Sequence, residues 1–544
     1  MSDQTSRDAG ADAPVDSPAP TPGRLLPPLR DMVALAVVAL LVAGASLLVH
    51  NTVLEGVEHS WDSIANLFQA RVFASGRVAA PRVPVEECFK VPTIVQTAAG
   101  RFAIYPPGWP AMLAPAVALG MPALAGAVLL AAGIALLWSL AFRLWGRREA
   151  WIATALLCAS PFYFFMGQSY LSHLPCAVFL MLALLALHGA ALAPTTRRLA
   201  LWAAGAGAAA GMAFLIRPFS AMLGMAGMGV ILVGAFERDW RRIARIVGFA
   251  AIGSAWALAA LALHNALTTG SPLRMGYSEF SKDFGFLGYG RFRRESVWEN
   301  FGTNLPFFFT YLNTDLWGGM IPDLCLPALA LVVAWRDRMA RALAAAALLF
   351  VLCHSFYFYF DLFYGPRLAF ETLPWLVLLT ARGIGALWDR LGALRRAAPA
   401  RLVAGFVLAL WLPSAVALSW PRLLDYYSLN YGGQGRQVRD AVAAKGLHNA
   451  LVVVRSTSDL AFCTLYNMNP IDIANGDVVF ARTPDRRETL SLLREAFPKH
   501  EKWVLDVEYE PLAGRNWYPE RFRITKLEWA RPAAAATPAP SMNQ

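Results

Sequence analysis

Long apolar stretches recur along the chain, separated by shorter polar ones. Met32 to Val49 is an almost uninterrupted apolar run of about 18 residues. Further runs follow at about 123–144, 150–166, 171–192, 199–216, 219–236, 246–264, 318–335, 341–360, 368–387 and 402–420. Each is close to the ~20 residues that a helix needs to cross the hydrocarbon core of a bilayer. The pattern predicts an all-α polytopic membrane protein of about eleven transmembrane helices. The pair 199–236, split at Arg217-Pro218, is the one that could tilt or re-enter instead.

Two connections are much longer than the rest, at about 51–107 and 265–317. Loops beyond ~15 residues are usually functional or disordered, and both of these carry apolar and aromatic residues at helical spacing. Ile64, Leu67, Phe68 and Arg71-Val72 predict one amphipathic helix at the membrane interface. Trp298, Phe301, Leu305, Phe308 and Leu312 predict a second, with ordinary loop packing as the alternative for both. After about residue 421 the composition becomes that of a soluble unit. Ala450–Val454 and Trp503–Val507 read as strands and 486–497 as an amphipathic helix, so residues 422–531 are expected to form a small α/β domain. Residues 1–29 and 532–544 are rich in Pro and Ala and are expected to be disordered. The domain at 30–421 carries the spans. No repeat of 20–50 residues and no pair of inverted halves is evident.

Charge orients this arrangement. Hydrophobic residues make up 57% of the 544 and charged ones 16%, too few for an ordinary soluble protein. The balance is 48 − 37 = +11, with Arg carrying nearly all of it. Much of the excess sits in alternate short connections, at Arg147/Arg148, Arg197/Arg198, Arg238 to Arg245, Arg336 to Arg341 and Arg390 to Arg401. That is the distribution of cytoplasmic loops and not of a nucleic-acid surface. It predicts a cytoplasmic N-terminus, with the two long loops and the C-terminal domain on the periplasmic side. The six Cys lack metal-binding spacing. Cys158, Cys176 and Cys353 fall inside spans; Cys88 and Cys463 fall in polar segments, which leaves a disulfide between them open.

No Walker loop, HExxH, GxSxG or GxGxxG motif is present, which excludes the common nucleotide-driven and soluble-hydrolase chemistries. The informative segment is the first long loop. It reads Glu58-His59-Ser60-Trp61-Asp62-Ser63, then Gln69-Ala70-Arg71 and Ala74-Ser75-Gly76, and finally Tyr105-Pro106-Pro107-Gly108. Farther on stand Ser160-Pro161-Phe162, Arg217-Pro218, Asn265 with Thr269-Gly270-Ser271-Pro272, and Gly365-Pro366-Arg367 with Leu373-Pro374.

In their order, and over about 60–380, these motifs resemble the bacterial GT-C glycosyltransferases. That membrane group includes the protein O-mannosyltransferases and the lipid A aminoarabinose transferase. Asp62 falls at the family's acidic position after the first helix; Ser63 departs from it, since a second acid often follows there. The resemblance implies a GT-C fold in the bacterial inner membrane. It also implies a sugar donor carried on a polyprenyl phosphate, and an acceptor glycan, lipid or protein. The leaving phosphate is already anionic, so such a reaction needs cations rather than a general acid. One carboxylate can deprotonate the acceptor hydroxyl, and attack opposite the phosphate inverts the anomeric centre.

Asp62 is therefore the candidate base, its alternative being a helix N-cap. Arg367 is the first candidate for the donor phosphate, its alternative being an interfacial anchor that snorkels. Arg217, at the end of an apolar helix, is a second candidate, and Arg274 and Lys282 are two more. His173 could contact sugar or acceptor, or be a structural histidine. Tyr105 is expected as scaffold beside the site. Glu58 and His59 could contribute to a divalent-cation site, but two neighbours do not make one, and no metal is assigned. Asp361 and Glu371 are expected to pair with Arg367. The competing function is a transporter or flippase of a lipid-linked substrate, which would place ionisable groups near the bilayer midplane and usually show repeated halves.

Overall fold

The computed structural model describes residues 27–281, 294–319, 321–359, 361–394, 397–483, 487–511 and 522–531. The chain begins with helices α1 (Leu29–Thr52) and α2 (Trp61–Ala74), a short hairpin of β1 (Ile94–Thr97) and β2 (Gly100–Ala103), and α3 (Gly108–Ala118). The helical body continues with α4 (Ala123–Trp145), α5 (Arg147–Ala159), α6 (Pro161–Gly167), α7 (His173–Ala191), α8 (Thr196–Ile216), α9 (Pro218–Ile231) and α10 (Trp240–Thr269). After α11 (Gly276–Phe280) come α12 (Arg294–Asp315), α13 (Cys325–Val333), α14 (Arg338–Ser355), α15 (Leu373–Gly392) and α16 (Ala397–Tyr426).

The motifs punctuate these helices for local reasons. Ser160 caps α6 by accepting from the Tyr163 amide at 3.3 Å, Pro161 stands in its first turn, and the chain bends by 65° between α5 and α6. Gly270 closes α10 in the left-handed region at φ 77°, where a side chain would be strained. Arg217 is extended, φ −145°, between α8 and α9, since Pro218 bars the preceding residue from the helical region.

Among the described residues, eight helices are long and apolar enough to cross a membrane, or nine if α5 and α6 form one broken span. Two of the eleven expected spans fall short. The stretch 318–335 is helical over only nine residues, in α13, too few to cross. In the stretch 368–387 the helix α15 starts at Leu373 after a 3-10 turn, Arg367–Thr372, and carries Arg382, Asp389 and Arg390 toward its end.

Beyond α16 lie α17 (Arg436–Lys445), β3 (Ala450–Ser456), α18 (Leu460–Tyr466), β4 (Val478–Arg482), α19 (Arg487–Ala496), β5 (Glu501–Pro511) and β6 (Phe522–Ala530). The sheet order is β4-β3-β5-β6, with β3 parallel to both neighbours and β6 antiparallel to β5. Ala450 to Val454 are all buried, as a strand covered on both faces requires. Ala450, Val452 and Val454 pack with Ile64, Ala65, Phe68 and Val72 of α2. Leu451 and Val453 face Cys88, Phe89, Leu493 and Phe497 on the other side.

This changes the expectation for α2. It does not float half-exposed at the interface: its other side, Leu67 and Ala70, joins the core of the helical body. A helix apolar on both sides is a buried one, and α2 is clamped between the membrane helices and the sheet. The same layering answers the question of Cys88 and Cys463. They lie in the clusters on opposite faces of β3, and both are free thiols.

Candidate active site

The clamp determines what Asp62 can do. It is the second residue of α2, and the cap is Ser60, whose Oγ accepts from the Ser63 amide at 3.1 Å. The capping duty considered for Asp62 is thus already filled, and its carboxylate projects from the first turn. Ser63 is buried and donates through Oγ to the Ser169 carbonyl at 2.5 Å. A second acid there would set a carboxylate against a carbonyl oxygen. Asn66 and Trp109 donate to the Tyr170 carbonyl at 3.1 and 2.7 Å, fixing α2 and α3 against the turn before α7.

Both Asp62 oxygens are oriented. Oδ1 accepts from the Tyr105 hydroxyl, and Oδ2 accepts from Arg367 Nη1 at 2.7 Å. Burial, and then the Asp62 charge, raise the Tyr105 phenol well above its usual value, so it stays protonated and donates. Each carboxylate oxygen keeps a lone pair beyond the one bond it accepts.

Arg367 follows Gly365, whose backbone at φ 99° lies where a Cβ would come within 2.7 Å of the Phe162 ring. Arg367 as a whole is only 7% exposed. Its Nε donates to Asp361 Oδ1 at 2.6 Å, and Nη2 stands 2.5 Å from Asp361 Oδ2, a forked pairing in addition to the Asp62 bond. Burial opposes this charge, and the two carboxylates more than restore it, raising the guanidinium well above its usual value. Arg367 is thus no snorkelling anchor.

Glu371 does not join Arg367, contrary to expectation. The 3-10 turn carries it away, so that its Oε1 lies 3.2 Å from Arg217 Nε and 3.5 Å from His173 Nδ1. Arg217 also donates to Ser172 Oγ at 3.2 Å and to Ser220 Oγ at 3.3 Å. The side chains of His173 and Glu371 are almost wholly buried, whereas that of Arg217 is 22% exposed.

Asp62, Tyr105, Arg217, Arg367 and His173 all line one cavity of about 250 Å³ built from helix ends. Tyr277, Tyr357, Tyr359 and His354 line it too, and sequence reasoning missed them. The signal available was the aromatic run Phe356 to Tyr364 ahead of Arg367.

Three expected residues, Glu58, His59 and Arg274, stand elsewhere. Glu58 accepts from Arg439 Nη2 and from Asn467 Nδ2 at 3.0 Å, both from the C-terminal part of the chain. Burial works against this carboxylate, and the Arg439 guanidinium overcomes it, holding the group below its usual range. His59 has its ring nitrogens 2.7 Å from the Tyr431 carbonyl and 2.9 Å from that of Leu54. Both side chains are spent on protein contacts and do not fit a divalent cation; they fasten the start of the loop to the sheet unit. Arg274 is exposed and lies 3.4 Å from Glu279, outside the cavity lining. Lys282 lies outside the described residues.

The Dolichyl-phosphate-mannose-protein mannosyltransferase family matches residues 117–266 of the chain. No curated protein sequence matches it. Among solved structures, ArnT from Cupriavidus metallidurans bound to undecaprenyl phosphate is 17% identical, with a TM-score of 0.56 over 94% of this chain and 99% of that one. The oligosaccharyltransferase AglB from Archaeoglobus fulgidus, in complex with an inhibitory peptide and a dolichol-phosphate, is 12% identical, with a TM-score of 0.54 over 88% of this chain and 70% of that one. The fold is that of the GT-C membrane glycosyltransferases.

Proposed function

We propose that the protein is a glycosyltransferase of the bacterial inner membrane. It moves a sugar from a polyprenyl-phosphate donor to an acceptor on the periplasmic side, with inversion, and Asp62 is the general base. The observation that carries this reading is the orientation of Asp62 at the cavity wall, held through both oxygens by Tyr105 and Arg367. A base held in this way is positioned before the acceptor arrives, and positioning supplies much of the rate in such reactions. The donor phosphate would draw on the cations of the same cavity, and Arg217 suits it better than Arg367, whose charge is already shared by two carboxylates. The polar groups gather at helix ends rather than at helix midpoints, which favours chemistry at one surface over transport.

The test is mass spectrometry of cell-envelope glycans and glycolipids from cells with and without the protein. The product found is then followed in an Asp62→Asn variant. Loss of a general base lowers rates by about 10²–10⁴-fold, so the product should fall by that order while the variant is inserted at normal levels. Product formation at the wild-type rate would overturn the assignment of Asp62.

A further inference from the structure

Three carboxylates support the two arginines of the cavity, and they are not equally supported themselves: Asp62 lines the cavity, while Asp361 and Glu371 reach it only through Arg367 and Arg217. Asp62 and Asp361 share Arg367 at 2.5–2.7 Å. Glu371 is more deeply buried than either and depends on longer contacts, 3.2 Å to Arg217 and 3.5 Å to His173. The Ser220 hydroxyl and the Arg217 guanidinium support its carboxylate, but among the described residues no hydrogen bond of close geometry reaches either oxygen, and neither His173 nitrogen has a hydrogen-bond partner. Counting Asp62, Asp361 and Glu371 against Arg367 and Arg217, the cluster carries −1 before any anionic ligand enters.

We propose that Glu371 is a positioning residue for the donor phosphate, holding Arg217 at the cavity and taking up a proton with His173 when a polyprenyl phosphate binds. This rests on the donor-binding reading of the cavity given above. An incoming phosphate competes with Glu371 for the one guanidinium near it. A carboxylate that loses part of its counter-charge while buried cannot stay ionised. The proton comes from solvent and resides on the Glu371–His173 pair, whose facing atoms are Oε1 and Nδ1; the pair titrates as a unit. No covalent bond changes in this step.

The surroundings of Glu371 are consistent with one proton exchanging near neutrality. Burial pushes its carboxyl up to about 7, against the pull of Arg217. The titratable or charged groups that face this centre are Arg217 ahead of α9, His173 and Cys176 of α7, His354 of α14, and Arg367 of its own turn. The bound state holds the extra proton, so binding is favoured at low pH and weakens as pH rises.

Titration calorimetry of undecaprenyl phosphate into the full chain, in buffers of different ionisation heat, counts the protons directly. The expected result is uptake of roughly half a proton per phosphate near neutral pH, rising toward one on the alkaline side, where affinity falls by up to about tenfold per pH unit. Glu371→Gln should bind without that uptake and lose the alkaline weakening. The phosphate's own ionisation has the opposite sign, because cations favour its dianion, and it remains in the variant as an internal control. Binding with no proton uptake in the wild type, or equal uptake in Glu371→Gln, would overturn the inference and leave the donor reading standing. Absence of any undecaprenyl phosphate binding would overturn both. The wild-type proton count does not depend on the variant folding.

Discussion

Arg367 and Arg217 line the same cavity and reach it from opposite charge balances. Arg367 is nearly enclosed and has two carboxylates at 2.5–2.7 Å. Arg217 is partly exposed and has one carboxylate at 3.2 Å, itself shared with a histidine. A cation that is fully matched organises its partners, and one that is under-matched still has charge to offer a ligand. Under the proposed function, Arg367 holds Asp62 in place and Arg217 is the cation that meets the donor phosphate.

Removing Arg367 should break this comparison most severely. Arg367→Ala leaves a buried Asp361 and a half-buried Asp62 with no shared cation, and loss of one partner of a buried pair such as Asp361–Arg367 costs about 3–5 kcal/mol. Thermal unfolding should shift down accordingly, and transfer should be lost. Arg367→Lys retains the charge but not the fork that serves two carboxylates, so its stability should lie between the two. A lysine variant as unstable as the alanine one would mean that charge sharing is not what Arg367 supplies.

Arg217→Ala should behave differently. Glu371 can neutralise itself by taking up a proton, so unfolding should change little, while undecaprenyl phosphate binding weakens by about 10–100-fold, the worth of one charge-assisted hydrogen bond. Equal loss of stability in the Arg217 and Arg367 variants would remove the distinction between them.

The smallest effect is expected at the opposite end of the helices. There Arg148 pairs with both Glu149 and Asp389, and Asp389 is 57% exposed. Asp389→Asn should change stability by no more than about 1 kcal/mol, as for other exposed pairs, and should leave transfer unaltered. A measurable loss of activity would show that arginine pairs far from the cavity also matter to it.

Hydrophobic run length was enough to find α1, α4, α7, α8, α9, α10, α14 and α16 in the sequence, because crossing a bilayer is a local, one-dimensional requirement. It overestimated α13, whose apolar stretch is interrupted after nine helical residues. It also misjudged α2: apolar spacing identifies a helix, but only the docked sheet reveals that both its sides are covered. The strands β3 and β5 were legible from alternation and burial-prone residues, whereas β4, β6 and the β1–β2 hairpin were not, since strands gain definition from partners distant in sequence.

The site divides along the same line. Sequence by itself determined that this is a multi-span membrane protein with an acid soon after the first helix and arginines at two helix breaks, because composition, periodicity and proline-marked breaks act within a few residues. Tertiary structure alone decided which charges meet. Asp62 and Arg367 are 305 positions apart, Glu371 turned from its neighbour Arg367 to Arg217, and Glu58 was taken by Arg439 from the sheet side. Ion pairing is set by distance in space and by burial, and neither is written in the spacing of residues along the chain.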